Sequence, residues 1–145
     1  MREHTVALLK PEAVRYAPEI RRRIANIGLM VVGQREYRWD FRANALNTIQ
    51  SMYPRCPEEI VEATVDHYLG HATPVLLLEG KDAIRRFFAL AGKETNPGKC
   101  HESTLRRQFG IPNADIIGGR RKYWRNALHR PRDANEAIRD IRIFF

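Results

Sequence analysis

The chain is 145 residues long, 43% hydrophobic and 29% charged, which suits one domain spanning residues 1–145 and is too short for two catalytic domains. Its 25 Lys and Arg against 17 Asp and Glu give a net charge of +8, which excludes an acidic disordered tail or a carrier for cations and favours an anionic partner: nucleotide, nucleic acid or an acidic membrane surface. The excess is local, because residues 1–84 carry eleven basic and eleven acidic side chains whereas residues 85–145 carry fourteen and six.

In chain order, Thr5 to Leu9 (TVALL) is a short apolar, β-prone run. It stops at Lys10-Pro11, where the proline cannot donate to a sheet ladder and disfavours helix in the residue before it. Lys10 therefore falls at the end of a first strand. From Pro18 onward Ile20, Ile24 and Ile27 recur at helical spacing, with Arg21, Arg22 and Arg23 between them, and the helix ends at Gly28. Leu29 to Tyr37 returns to a strand. Two helices, Phe41 to Met52 and Glu58 to Tyr68, flank Tyr53-Pro54-Arg55-Cys56-Pro57, whose two prolines enforce a break. Pro74 to Glu79 (PVLLLE) is uninterrupted and apolar, the mark of a strand buried on both faces.

Asp82 to Ala91 reads as a helix closed by Gly92, followed by an irregular stretch with turn chemistry at Thr95-Asn96-Pro97-Gly98. A short helix at Ser103 to Gln108, a loop, a brief apolar element at Asn126 to Leu128 and a helix from Asp133 to Ile143 follow. This order is the split βαβ arrangement of an α+β protein with a ferredoxin-like βαββαβ antiparallel sheet and helices on its faces.

Cys56 and Cys100 form no C-x-x-C or metal-like spacing, so neither a disulfide framework nor a zinc site is supported, and a reducing cytoplasm fits. No stretch approaches a membrane span and the first residues lead straight into the apolar run, so the chain reads as soluble and unprocessed. Arg outnumbers Lys twenty to five. The guanidinium fork suits bidentate phosphate contacts, although a GC-rich genome produces the same bias.

Four blocks, in order, resemble the nucleoside diphosphate kinase family. They are Ala7-Leu8-Leu9-Lys10-Pro11-Glu12-Ala13-Val14; Leu78-Glu79-Gly80 with Gly92 and Thr95-Asn96-Pro97; Ser103-Thr104-Leu105-Arg106; and Arg125-Asn126-Ala127-Leu128-His129, which carries the family's N-x-x-H signature. The C-terminal Ile141 to Phe145 (IRIFF) is similar to the family's ending. The resemblance implies transfer of a γ-phosphoryl group from ATP or another nucleoside triphosphate to a nucleoside diphosphate, by a ping-pong route through a phosphohistidine. It also implies Mg²⁺ brought in with the nucleotide, no metal site of the protein's own, and a homo-oligomer.

On this resemblance His129 matches the nucleophile, against the alternative of an ordinary loop histidine. Lys10 resembles the lysine on the transferring phosphate, Thr95 and Arg106 the phosphate ligands, and Asn126 the sugar-hydroxyl ligand. Tyr53 corresponds to a tyrosine beside the histidine or is a core or surface tyrosine. Asp140 stands where the family carries a glutamate that holds the other ring nitrogen; being one methylene shorter it implies a longer or water-mediated bond, or else a solvated helix carboxylate.

The sequence also departs from the family. After the histidine it runs Arg130-Pro131-Arg132-Asp133 in place of Gly-Ser-Asp, so Arg130 either adds charge beside a phosphohistidine or blocks it. The first helix is shortened around Arg15-Tyr16-Ala17-Pro18. Phe88 stands where a phosphate-directed arginine is usual, with Arg85 one turn earlier as its replacement. Residues 112–124 form an insertion of roughly ten residues, in which Gly118-Gly119 signals a turn. There Arg120-Arg121-Lys122-Tyr123-Trp124-Arg125 interleaves cations with aromatics, as a lid or subunit-contact loop or as a nucleic-acid grip. These departures leave two rivals to an active kinase: a catalytically weakened nucleotide-binding or assembly module, and a nucleic-acid-binding protein.

Overall fold

The computed structural model describes residues 2–145, so Met1, the first residue of the predicted single domain, lies outside the described residues. The elements in order are strand β1 (Arg2–Leu9), a 3-10 turn (Pro11–Tyr16), helix α1 (Ala17–Asn26), strand β2 (Met30–Arg38) and helices α2 (Arg42–Met52) and α3 (Glu58–Tyr68). Strand β3 (Ala72–Lys81), helix α4 (Ala83–Ala91), a 3-10 turn (Pro97–Lys99) and helix α5 (Leu105–Phe109) come next. Short strands β4 (Asp115–Ile117), β5 (Arg121–Tyr123) and β6 (Leu128–His129) and helix α6 (Ala134–Phe144) follow. The main sheet runs β2-β3-β1-β6 with every neighbouring pair antiparallel. This is the ferredoxin-like arrangement expected from the element order.

Side chains alternate across a strand, and β1 shows what that does here. Ala7 and Leu9 pack with Ile20 and Ile24 of α1 and Phe87 and Ala91 of α4 on one face. Val6 and Leu8 pack with Ile49 and Met52 of α2, Val65 of α3 and Phe144 of α6 on the other. Leu8 and Leu9 expose none of their surface, and burial of each stabilises the fold by about 1.5–3 kcal/mol. Helices thus cover both faces of the sheet, as the unbroken apolar run in β3 requires. The buried Trp39 keeps its one polar atom satisfied, its Nε1–H donating to Thr73 Oγ1 at 2.9 Å.

Several boundaries differ from the sequence reading. β1 and β3 pair as far as Arg2 with Lys81, so ladder hydrogen bonds extend both strands beyond their apolar runs. The 3-10 turn after Lys10 was not predicted; Pro11 opens it and buried Ala13 anchors it. The apolar element expected at Asn126 to Leu128 begins only at Leu128, because Ala127 takes a left-handed backbone (φ 76°) that breaks the extended chain. In the inserted segment β4 and β5 form a separate hairpin whose turn residues Gly118 and Gly119 have φ of 56° and 79°. Two positive φ values in succession demand glycine there and give a turn that matches the twist of the flanking strands.

The topology brings distant residues to one end of the sheet. β6 pairs with the end of β1, Leu8 opposite His129 and Leu9 opposite Leu128. The Lys10 amide then donates to the Ala127 carbonyl at 2.8 Å, so Lys10 and the Asn126–His129 segment share an edge. The Ala127 amide donates to Glu12 Oε2 at 2.9 Å, which holds the left-handed turn. Glu12 also accepts from His67 Nε2 at 2.6 Å, and His67 Nδ1 meets the Tyr123 hydroxyl at 2.8 Å. The inserted hairpin is therefore tied through buried polar groups to the segment that carries His129.

Candidate active site

At this sheet edge lies a cleft of about 870 Å³, lined by Lys10, Tyr53, Thr95, Arg106, Asn126, His129 and Arg130, with Lys122, Tyr123 and Trp124 of the hairpin at its wall. Eight Lys and Arg side chains line it against two carboxylates, Asp133 and Glu136. The size suits a small-molecule ligand, and the sign of the field selects an anion. Much of the C-terminal basic excess thus has a location.

His129 sits at the floor of the cleft, 4% exposed. Its Nε2 lies 2.6 Å from Asp140 Oδ2 and its Nδ1 2.8 Å from the Tyr53 hydroxyl. An ionised carboxylate only accepts, so the ring proton is on Nε2 and the lone pair is on Nδ1, where the Tyr53 O–H donates. Burial pushes the imidazole below its ordinary range; the Asp140 bond opposes this, and Lys10 and Arg106 add to it. The ring is therefore neutral near pH 7, with its Nδ1 lone pair turned to the Tyr53 hydroxyl.

The tyrosine and aspartate, both ambiguous from sequence, are each in contact with the ring. Asp140 is fully buried on α6, its Oδ1 accepting from Arg139 Nε at 3.0 Å, so it is not a solvated helix carboxylate. The longer or water-mediated bond expected of the shorter side chain does not occur. Ala137, one turn earlier on α6, is buried as well.

Two cationic side chains, Lys10 and Arg106, act on this ring. Lys10 is 5% exposed and makes no ion pair among the described residues; its ammonium is drawn down to about 7, first by burial, then by Arg106. Arg106 donates from Nη1 to the Glu94 carbonyl and from Nη2 to the Leu128 carbonyl, both at 3.0 Å, while its buried Nε–H has no partner. Asn126 donates to the Thr95 carbonyl at 3.0 Å and leaves its own buried Oδ1 unpartnered. Buried polar atoms without partners are costly in a folded protein, and a ligand that completes them removes that cost. Thr95 itself is exposed at the rim of the cleft.

Arg85 is not brought to the cleft. Its side chain is 77% exposed and pairs with Asp82 at 3.5 Å, on the solvent side of α4. Sharing a helix face with Phe88 did not determine where that face points. The guanidinium beside Phe88 comes instead from Arg130, whose Cζ lies 4.4 Å from the ring centroid. Arg130 is 9% exposed, and burial followed by Arg106 draws it down to about 9, so it stays charged at neutral pH.

The insertion does not display its aromatics outward as a nucleic-acid grip would. Tyr123 is buried against His67 and Trp124 is half-buried at the cleft, while Arg121 pairs with Glu59 and Arg125 with Asp115. Among the described residues no helix is long and apolar enough to cross a membrane.

The family model described as nucleoside diphosphate kinase matches residues 3–145. The nucleoside diphosphate kinases of Deinococcus radiodurans and Archaeoglobus fulgidus are each 29% identical to the chain, over 99% of it and 94% and 86% of their own lengths. Among solved structures, the Aquifex aeolicus nucleoside diphosphate kinase aligns with a TM-score of 0.78 at 22% identity, covering 100% of this chain and 96% of that one. A transition-state mimic of the Borrelia burgdorferi enzyme, with bound vanadate and ADP, aligns at 0.79 and 20% identity, over 99% and 87%. With its family model matched over nearly the whole length, the chain belongs to the nucleoside diphosphate kinase family.

Proposed function

We propose that the protein transfers the terminal phosphoryl group of a nucleoside triphosphate to a nucleoside diphosphate through a phosphohistidine at His129. The observation that carries this reading is the ring itself: Nε2–H held by Asp140, Nδ1 free of its proton, and Lys10 and Arg106 beside it. In the first half-reaction the Nδ1 lone pair attacks the γ-phosphorus. The Pβ–O–Pγ bridge breaks, its electron pair leaving on the diphosphate, and the Tyr53 hydroxyl releases Nδ1 as the N–P bond forms. The second half-reaction is the reverse with a different diphosphate: its terminal oxygen attacks phosphorus and the N–P electron pair returns to Nδ1. Positioning and positive charge around the equatorial oxygens do most of the work in such a transfer.

In this reading Lys10, Arg106 and Thr95 hold phosphate oxygens, and Asn126, with an acceptor to spare, takes a sugar hydroxyl. Mg²⁺ in this reading arrives as part of the nucleotide substrate. Bound between phosphate oxygens, the ion neutralises charge. The two free cysteines suit a cytoplasmic setting. Assembly into a homo-oligomer is supported by the outer strand β2, which carries Met30 and Val32 exposed.

The direct assay supplies labelled ATP with Mg²⁺ and GDP: labelled GTP with parallel-line ping-pong kinetics is expected, and nucleotide binding without transfer overturns the reading. A pH signature follows from Lys10. In the free protein the amine is mostly neutral above about 7, and an incoming polyphosphate supplies the counter-charge that restores its proton. Nucleotide binding at pH 8 is therefore expected to take up a proton, and binding at pH 6 to take up almost none. Calorimetry in buffers of different ionisation enthalpy measures this, and Lys10→Met is expected to remove it. For the same reason kcat/KM is expected to fall as pH rises through about 7.

A further inference from the structure

Arg130 follows the proposed nucleophile in sequence, yet its side chain is not spent on solvent or on an ion pair. Its Nε donates to the Gly92 carbonyl at 3.2 Å, and its Nη2 to the Gly92 and Lys93 carbonyls at 3.1 and 3.2 Å. Gly92 can present that carbonyl because it ends α4 with φ of 119°, a conformation that L side chains rarely adopt. The guanidinium carbon lies over the Phe88 ring, 4.4 Å from its centroid. A planar cation placed over an aromatic ring and tied at one edge has lost much of its rotational freedom before any ligand arrives. The remaining nitrogen, Nη1, donates to no protein acceptor among the described residues, and Arg130 lines the same cleft as His129.

The geometry points to Arg130, held on Phe88, as a second guanidinium that binds an oxygen of the phosphoryl group transferred at His129, with Nη1 as the donor. This inference rests on the proposed phosphotransfer. Two side chains 42 positions apart in sequence together make one phosphate ligand: Arg130 supplies the charge and Phe88 the platform. Arg106, bound to the Glu94 and Leu128 carbonyls, approaches separately, so the transferring group meets guanidinium groups from two elements. A purely mechanical role is the alternative, with Arg130 a strut joining Gly92 and Lys93 to the segment after β6.

Single-turnover labelling with ATP and Mg²⁺ separates these roles. Arg130→Ala is expected to slow formation of the phosphoenzyme by about 10²–10³-fold, the usual effect of removing one donor to developing charge. The KM for the diphosphate should change by much less. Two restorations are expected. Added guanidinium ion should recover part of the Arg130→Ala rate, and Phe88→Arg combined with Arg130→Gly should recover it by bringing a guanidinium to the same place from the other side. A strut-only role gives loss of rate that neither restores, with thermal stability falling in parallel, and this overturns the inference; so does labelling of Arg130→Ala at the wild-type rate. If the wild-type protein itself takes no label, the phosphotransfer reading fails and this inference falls with it.

Discussion

Replacing His129 with Asn is expected to lower phosphoryl transfer by about 10⁴-fold or more, because the reaction loses its nucleophile and not a contact that merely assists it. Asn has no ring nitrogen to carry the phosphoryl group, and the shorter amide cannot span from Asp140 to the Tyr53 hydroxyl as the imidazole does. The substitution also leaves the buried Asp140 carboxylate with Arg139 as its remaining partner. Taking one hydrogen-bond donor from a buried acceptor costs about 1–3 kcal/mol, so thermal unfolding must accompany the assay. His129→Gln, with a longer side chain, provides a second test. Both variants should still bind nucleotide, since Lys10, Arg106 and Asn126 remain; transfer above about 1% of wild type in either would contradict the assignment.

Asp140→Asn carries the second large effect, and here the nucleophile stays in place while its proton is misdirected. The carboxylate fixes the proton on Nε2 at 2.6 Å and leaves Nδ1 with its lone pair. An asparagine has two orientations. With its NH₂ toward the ring, the imidazole must place its proton on Nδ1 and loses the attacking lone pair. With its oxygen toward the ring, the NH₂ faces the Arg139 guanidinium, which Asp140 Oδ1 now accepts from at 3.0 Å. A drop in kcat of up to about 10⁴-fold is expected, the effect of losing a buried carboxylate that sets a histidine tautomer.

The sign of the accompanying pH shift is also fixed. Asp140 raises the imidazole against burial, so removing its charge pulls the ring further down and moves the acid limb of kcat/KM to lower pH. A merely structural aspartate would lower activity without moving that limb.

The sequence carried its clearest signals where backbone and burial act locally. TVALL and PVLLLE are strands because each is apolar enough for a sheet covered on both faces, and Lys10-Pro11 ends the first because proline cannot continue the ladder. Family blocks at Lys10, Arg106, Asn126 and His129 mark residues that the fold gathers around one cleft. The hairpin β4–β5 was not legible, since Arg121-Lys122-Tyr123 has no apolar alternation and is held by the Tyr123 hydroxyl on His67, a contact 56 residues away in sequence.

Arg85 and Arg130 show the same limit within the site. Helical spacing says that Arg85 and Phe88 share a face of α4 but not that Arg85 ends in solvent beside Asp82. In sequence, Phe88 and Arg130 look like two independent departures from the family pattern. In the fold they are one cation–π pair, visible only once the end of α4 and the segment after β6 are side by side. The methylene missing from Asp140 likewise led to a longer expected bond, because the closeness of α6 to the sheet is a tertiary property.

The most direct measurement is the position of the phosphoryl group on the enzyme. After brief incubation with labelled ATP and Mg²⁺, without acceptor diphosphate, the protein should hold about one acid-labile, base-stable label per chain, on Nδ1 of His129, discharged by added GDP. No label, a label on Nε2, or a label on any other residue would contradict phosphotransfer through the Asp140-oriented ring.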